Sequence, residues 1–321
     1  MAQQAGGHRV WPWILVALGI LVVGGLCTFT TIIAVLISRP EGGFGGGDAV
    51  AVVRIEGTLS EGEEGTDLFG GGSAFSRPII DQIKRGRHDS SVRAIVLRIN
   101  SPGGGVVASD DIYREVLRAR QDGKKVVVSM GTLAASGGYY ISAGADRIVA
   151  SPATQTGSIG VISMIPNAQE LMNKIGVQMT VIKSGTLKDE GSPFRPMTEE
   201  EKANFQSMVN QLYDQFVEIV AKGRNMDVQE VRNLADGRTY LGTRAMELGL
   251  VDELGDLPYA IDLAAKMGGI SGKPRIVEYR RPSFVESLFG SLARGLPQFS
   301  FSPVKTLGVE ARPSLQYLYV Q

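Results

Sequence analysis

Apolar and polar segments alternate along most of the chain after residue 48, and their periods predict an α/β fold. Short apolar, β-branched runs predict buried strands, and stretches with apolar residues three or four positions apart predict helices. Strands are expected at 49–55, 92–100, 125–129, 147–150, 160–163 and 179–183. Helices are expected at 79–87, 109–121, 136–145, 168–175, 198–224, 243–248 and 258–266. Strands separated by helices of this length favour right-handed crossovers and a largely parallel sheet.

The clearest helix is predicted from Thr198 to about Arg224. Thr198 with Glu201 is typical of a capping box, and acidic residues fill the first turn. Apolar side chains keep a spacing of three to four residues throughout, and we interpret this stripe as core rather than as a ligand site. Its members are Phe205, Met208, Val209, Leu212, Phe216, Ile219 and Val220.

A long uncharged segment, residues 13–37, precedes this pattern. At 1.5 Å per residue a helix of this length spans a hydrocarbon layer of about 30 Å with some tilt. The run is longer than the apolar core of a cleaved signal peptide, and no Ala-x-Ala site follows, so we predict a retained transmembrane anchor. Arg9 and Arg39, one on each side, leave its orientation open.

The same patterns divide the chain into five parts. These are a short N-terminal segment (1–12), the anchor (13–37), a glycine-rich tether (38–48), one α/β domain (49–275) and a C-terminal tail (276–321). The tail loses the alternation and ends in Tyr-Leu-Tyr-Val-Gln. Two interpretations of the tail stay open: a surface arm or disordered end, or a segment that docks on a neighbouring subunit or occludes a peptide groove.

Composition narrows the chemistry. The chain has 33 basic and 33 acidic residues, so nothing in its charge balance indicates a nucleic-acid partner. The lone Cys27 lies in the apolar run, and the two histidines are His8 and His88. We therefore predict no metal, no cofactor, no disulfide framework and no cysteine nucleophile. A Ser-His-Asp triad would have to use His88, so a hydrolytic mechanism is expected to need a base other than histidine.

Two glycine-rich segments are candidate sites. Residues 100–105, Asn-Ser-Pro-Gly-Gly-Gly, directly follow a predicted buried strand and allow a ligand to approach the backbone closely. The alternative is a plain turn, and the Gly-x-Gly-x-x-Gly pattern of dinucleotide sites is not met. In the second segment, Ser136 stands where a strand gives way to a helix. Its N–H and that of Gly137 are predicted to be unpaired helix-start donors, although Ser136 as a simple N-cap is equally in keeping with the sequence.

A third segment, residues 183–193, holds two lysines that could serve as the base. A lysine acts as a general base only where desolvation or a nearby cation favours its neutral form. Lys188 follows the apolar Leu187, and Lys183 competes with it. Physical reasoning on the sequence separates the two only weakly.

Taken together, these segments resemble peptidase family S49, the signal peptide peptidase A family. The motifs are Asn-Ser-Pro-Gly-Gly-Gly (100–105), Ala-Ala-Ser-Gly-Gly-Tyr-Tyr (134–140), Thr-Gly-Ser-Ile-Gly-Val (156–161), Lys-Ser-Gly-Thr-Leu-Lys-Asp (183–189) and a run at 236–253. The resemblance covers roughly residues 49–270 together with the N-terminal anchor, and the length is that of the single-module form. Each motif alone is weak, but their combination in this order is highly specific.

The resemblance implies a role for five residues. Ser136 would be the nucleophile, Lys188 the general base, and Ser158 the hydroxyl that orients the lysine amine. The backbone N–H groups of Gly103 and Gly137 would form the oxyanion hole, which is usually the largest electrostatic contribution to such catalysis. The resemblance gives the tail no catalytic role.

The resemblance also implies a fold, an assembly and a substrate. The expected fold is the ClpP/crotonase-like spiral of ββα units, preceded by one transmembrane helix. Members form homo-oligomeric rings at the cell membrane, with the catalytic domain outside the cytoplasm, and cut remnant signal peptides and similar short hydrophobic peptides. By analogy with the doubled form, Ser136 and Lys188 are expected to meet across a protomer boundary. The alternatives are a crotonase-like acyl-CoA enzyme and a catalytically idle membrane scaffold.

Overall fold

The computed structural model describes residues 48–62, 73–279 and 315–318. The strands in these ranges are β1 (Ala49–Glu56), β2 (Thr58–Ser60), β3 (Ser73–Phe75), β4 (Val92–Ser101), β5 (Gly103–Gly105), β6 (Lys125–Ala135), β7 (Arg147–Ala150), β8 (Gln155–Gly157), β9 (Ile162–Ser163), β10 (Thr239–Leu241), β11 (Glu253–Leu254), β12 (Arg275–Glu278) and β13 (Leu315–Leu318). The helices are α1 (Ser76–His88), α2 (Val106–Gln121), α3 (Gly137–Ser142), α4 (Gln169–Lys174), α5 (Glu199–Arg224), α6 (Val228–Leu234), α7 (Gly242–Glu247) and α8 (Leu257–Met267).

The larger sheet has the strand order β10-β8-β6-β4-β1-β12, with β7 beside β6 and β11 beside β7. Its neighbours run parallel except β8 and β10, which are antiparallel. The prediction of a largely parallel sheet is therefore confirmed, with one antiparallel edge that makes the sheet mixed. A second, smaller sheet has the order β3-β2-β5-β13-β9.

Helices cover both faces of the larger sheet, which explains why its central strands are apolar on both sides. Ala49, Ala51 and Val53 of β1 pack on the face that carries α1, α2, α3 and α5. Val50 and Val52 pack on the opposite face, against α8. The alternation follows from the two-residue period of a strand.

Most predicted elements are present, but three differ. β6 continues to Ala135, past the expected end at 129, and the helix that follows is shorter than expected. The strand predicted at 179–183 is wrong, since these residues form no strand and their side chains are exposed. Ile182 is 96% exposed. An apolar, β-branched run becomes a strand only where a partner strand and a packing surface are available, and here neither is present among the described residues.

The capping box of α5 is confirmed. The Thr198 hydroxyl accepts a hydrogen bond from the Glu201 N–H, and the Glu201 carboxylate accepts one from the Thr198 N–H. The predicted core stripe is only partly correct. Phe216 and Val220, in the second half of the helix, are fully buried, whereas the apolar side chains of the first half, such as Phe205, are half-buried.

The end of α5 passes very close to the end of α3. A Cβ built on Gly223 would lie 2.1 Å from the carbonyl oxygen of Ala143. We expect Gly223→Ala to lower the free energy of unfolding by roughly 1–3 kcal/mol, because the methyl group forces the two helices apart. Urea unfolding measures this, with the exposed neighbour substitution Lys222→Ala as the control. If both variants unfold at the same urea concentration, the close approach of α5 to the end of α3 is contradicted.

The predicted anchor (13–37) and tether (38–48, apart from Asp48) lie outside the described residues, as does the tail except for β13. Of the helices in the described ranges, none combines the length and the apolar character needed to cross a bilayer.

Candidate active site

Ser136 lies at the junction of β6 and α3 in a backbone conformation that is rare for a residue with a side chain. Its φ is 51° and its ψ is −115°. The conformation is held from both sides: the Ser136 N–H donates to the Gly157 carbonyl at 2.8 Å, and its own carbonyl accepts from the Tyr140 N–H at 2.8 Å. A non-glycine residue kept in such a region is a recurrent feature of functional sites.

Two expectations about Ser136 are corrected by this geometry. Its side chain makes no capping hydrogen bond to α3, so the interpretation as a simple N-cap is wrong. Its N–H is not an unpaired helix-start donor, because the parallel pairing of β6 with β8 supplies the carbonyl of Gly157 as its acceptor. Only the tertiary pairing of two strands distant in sequence determines this.

The Ser136 hydroxyl is buried without a hydrogen-bond partner among the described residues. The residue is 1% exposed, and its Oγ is unsatisfied. An unsatisfied buried hydroxyl costs about 1–3 kcal/mol, and such groups are uncommon in folded proteins. Burial and an open hydrogen-bonding position are what a nucleophile awaiting a base requires.

Helix α3, which begins directly after Ser136, is anchored by its two tyrosines. The hydroxyl of Tyr139 donates to the Leu250 carbonyl at 2.9 Å, and burial raises its pKa. The hydroxyl of Tyr140 donates to Asp110 at 2.9 Å and accepts from the side-chain amide of Gln215 at 2.8 Å. Local sequence patterns do not identify Asp110 and Gln215, since their role depends on contacts with distant parts of the chain.

Ser158 lies beside Ser136 at the end of the neighbouring strand. In the parallel pair of β6 and β8, Ala135 stands opposite Gly157, so the two serines leave the sheet at the same edge. Ser158 also has a φ of 51°, and its N–H donates to the Arg238 carbonyl at 2.8 Å. Its side chain lines an open cavity of about 560 Å³ between β9, α5 and the residues before β10.

Gly103 and Gly137 lie against each other. A Cβ built on Gly137 would lie 3.2 Å from the Gly103 Cα and 2.5 Å from the Ser109 hydroxyl, so a side chain does not fit there. Gly103 has a φ of 98°, which favours glycine. The Gly103 N–H donates to the Ser101 hydroxyl at 3.1 Å, and that hydroxyl donates to the Gly57 carbonyl. The structure thus brings the two glycines together, with the amide of Gly103 bonded to Ser101.

The two candidate lysines differ clearly. The Lys183 amine is engaged, since it donates to the Thr186 carbonyl at 2.7 Å and pairs with the Asp189 carboxylate. The Lys188 side chain is exposed, and its amine makes no hydrogen bond or ion pair with the described part of the chain. In a single copy, the Lys188 amine therefore makes no hydrogen bond with the Ser136 hydroxyl.

The tail enters the site as a strand. β13 lies between β5 and β9 and is antiparallel to both, with Tyr317 opposite Gly104 and Leu318 opposite Gly103. Of the two interpretations that the sequence left open, this placement favours occlusion of a groove. An extended segment that adds to free strand edges is a common mode of peptide binding.

Comparison with known families agrees with this arrangement. The model of the Clp protease family matches residues 73–157, which supports a Clp protease-like α/β fold. The model described as Peptidase family S49 matches residues 118–271, a range that includes Ser136, Ser158 and Lys188. The fold and the matched region define a peptidase.

Individual relatives identify the family. The chain is 38% identical over 244 residues to a putative signal peptide peptidase SppA of Enterococcus faecium, covering 75% of this chain and 70% of that protein. It is 39% identical to a putative protease of Methanocaldococcus jannaschii, covering 74% and 75%. Protease 4 of Haemophilus influenzae is 39% identical over 68% of this chain, which spans only 34% of that longer relative. The chain belongs to peptidase family S49, as its motifs predict.

Proposed function

We propose that this peptidase is a membrane-anchored serine endopeptidase in which Ser136 is the nucleophile and Lys188 the general base. The observation that carries the proposal is the Ser136 hydroxyl: it is buried, has no partner among the described residues, and sits in a left-handed turn beside Ser158. The Ser163 hydroxyl is also buried without a partner, but that residue is only half-buried and has no positive φ.

The proposed mechanism assigns a step to each of these residues. Ser136 Oγ attacks the scissile carbonyl while the Lys188 amine takes its proton, and the lysine ammonium then gives that proton to the leaving amine. The same amine next removes a proton from water, which hydrolyses the acyl-enzyme. The N–H groups of Gly137 and Gly103 stabilise the oxyanion, and the Gly103 N–H has to turn from the Ser101 hydroxyl for this step.

The dyad is proposed to form between two copies of the chain. One copy presents an exposed Lys188 and a buried Ser136 that do not meet. Ser158 lines an open cavity, and we propose that the lysine of a neighbouring copy enters through it and bonds the Ser158 hydroxyl.

The segment that carries Lys188 supports this assembly. Residues 164–194 expose an unusual number of large apolar side chains, which is typical of a surface that is covered in an oligomer. They are Met164, Leu171, Ile175, Val177, Met179, Val181, Ile182, Leu187 and Phe194. We propose that this segment packs on the next protomer of a homo-oligomeric ring.

The substrate is proposed to bind as an extended strand between β5 and β9, where the tail strand β13 lies. Recognition through backbone hydrogen bonds suits short peptides of varied sequence. With residues 13–37 as an anchor, the site would lie at the membrane, outside the cytoplasm. Remnant signal peptides and similar short hydrophobic peptides are the substrates that this arrangement fits.

A serine-directed acylating probe tests the nucleophile. A fluorophosphonate is expected to label the wild-type chain at Ser136 at mildly alkaline pH, where more of the lysine base is neutral. Mass spectrometry of the labelled peptide identifies the residue, and cleavage of a pool of hydrophobic peptides is measured in parallel. Ser136→Ala is expected to lose both labelling and cleavage, whereas the exposed control Ser207→Ala retains both. Cleavage by Ser136→Ala would refute the proposal, and absence of both activities in the wild type would favour an idle scaffold.

A further inference from the structure

Asp189, the residue after Lys188, is held on two sides. The Lys183 amine pairs with one carboxylate oxygen, and the Arg195 Nε donates to the other at 2.8 Å. A third hydrogen bond runs from the Arg195 guanidinium to the backbone carbonyl of Asp189 at 3.2 Å. Arg195 therefore helps to hold the backbone next to Lys188 in place, in addition to the hydrogen bonds of the turn itself.

Arg195 connects this turn to the start of α5. Its guanidinium also donates to both carboxylate oxygens of Glu201, one of them at 2.9 Å. Glu201 is 1% exposed and belongs to the capping box of α5. A planar, forked guanidinium is suited to bridging two carboxylates in a fixed geometry, which a lysine amine cannot reproduce.

A second connection follows one residue later. The Glu190 carboxylate accepts from the side-chain amide of Asn204, which lies on the next turn of α5, at 2.8 Å and 3.0 Å. Helix α5 is itself bound to the helix after the nucleophile, because Gln215 and Phe216 contact Tyr140. The location of Lys188 is thus tied to a rigid element, whether its amine acts in its own chain or in a neighbour.

The charges of this network balance. Lys183 and Arg195 are cationic and Asp189 and Glu201 anionic. Hydrogen bonds from Arg195 hold the pKa of Asp189 well below its usual range and lower that of Glu201 to about 2. A carboxylate whose pKa is lowered in the folded protein stabilises the fold at every pH above about 4, the ordinary pKa of a carboxyl group. This stabilisation is lost only as the pH falls toward the lowered pKa. The network is therefore intact at alkaline pH.

We propose that Arg195 is a positioning residue for the general base: by joining Asp189 to Glu201, it fixes the turn that carries Lys188. The inference rests on the proposed role of Lys188. Arg195 itself contacts neither substrate nor reacting atoms in this scheme.

Replacement of Arg195 by methionine, which has similar length and no charge, tests the inference. Arg195→Met is expected to lower kcat on the order of tenfold, since small displacements of a catalytic group are costly and the Lys183 and Asn204 contacts keep part of the turn in place. The alkaline rise of the pH–rate profile is expected to move to higher pH, because Arg195 is removed from Asp189, the residue next to the lysine, and the neutral form of the lysine loses the help of a nearby cation. Arg195→Lys is expected to have an intermediate kcat.

Measurements of peptide binding and of oligomer size distinguish a positioning role of Arg195 from a general loss of structure. In the Ser136→Ala background, Arg195→Met is expected to leave the peptide Kd unchanged by calorimetry and the oligomer size unchanged by sedimentation. Arg244→Met, which breaks the exposed pair of Arg244 with Glu247, is the matched control and is expected to keep wild-type kcat and pH profile.

The outcomes distinguish this inference from the proposed function. Wild-type kcat and pH profile in Arg195→Met, with Lys188→Ala inactive, would overturn the positioning role alone. An active Lys188→Ala would overturn the proposed function. Loss of the oligomer in Arg195→Met and also in Arg195→Lys would assign Arg195 to folding or assembly and would equally overturn the positioning role.

Discussion

Chains with Ser136→Ala and chains with Lys188→Ala, each inactive alone, are expected to regain about one quarter of wild-type peptide cleavage when mixed and reassembled in equal amounts. Each substitution alone is expected to lower kcat by roughly a thousandfold or more, as removal of a nucleophile or its base does. In a mixed ring, a site is complete when its serine comes from a Lys188→Ala chain and its lysine from a Ser136→Ala chain. The physical reason is that, in one copy, Lys188 is exposed while the Ser136 hydroxyl is buried and has no partner in the part of the chain that the structure describes.

The measurement is cleavage of a fluorogenic hydrophobic peptide after the two chains are dissociated, mixed and allowed to reassemble, with sedimentation to verify the oligomer. The matched control replaces the Ser136→Ala chain with a chain that carries both substitutions, and this mixture is expected to stay inactive. Full inactivity of the first mixture, with mixed oligomers present, would show that the two residues act within one chain. A dissociated wild-type monomer with full activity would lead to the same conclusion.

Release of the tail strand is expected to raise kcat/KM for short peptides by roughly 10- to 100-fold. β13 occupies the edges of β5 and β9 beside Gly103, where the substrate is proposed to bind. A tethered segment competes at an effective concentration in the millimolar range, which exceeds the concentration of peptide in an ordinary assay. A chain that ends at residue 311 lacks this competitor and keeps all the residues proposed to be catalytic.

A substitution that disturbs the backbone of β13 tests the same point in the full-length chain. Tyr317→Pro removes an N–H and disfavours a strand between two others, so it is expected to activate the chain. Tyr317→Ala keeps the backbone donor and is expected to activate it much less. A free peptide of residues 312–321 is expected to inhibit the truncated chain competitively. If the truncated and full-length chains cleave short peptides equally well, the tail strand does not restrict the groove.

Much of the fold follows from local sequence patterns. The strands at β1, β4 and β7, the helix α5 and its capping box were all predictable, because apolar periodicity and side-chain capping act within a few residues. The strand expected at 179–183 shows the limit of that reasoning. Its composition suits a strand, but no neighbour covers it among the described residues, and composition does not reveal which surface a segment meets.

The candidate site shows the same division. The order of motifs around Ser136, Ser158 and Lys188 was enough to predict the family, and the sparse histidine and cysteine content directed attention to lysine as a base. Nothing local decided between Lys183 and Lys188. The family resemblance favoured Lys188, and the structure adds that the Lys183 amine is engaged by Asp189 and Thr186, whereas the Lys188 amine has no partner among the described residues.

The sequence by itself determined the α/β class, the peptidase family and a set of candidate residues for the chemistry, because these depend on residue types at short spacings. Only the tertiary structure decided that the N–H of Ser136 is paired with Gly157, that its hydroxyl is buried without a partner among the described residues, and that the tail strand β13 lies along β5. Each of these depends on strands that meet from distant parts of the chain, and such pairings arise from the packing of the whole domain rather than from any local pattern.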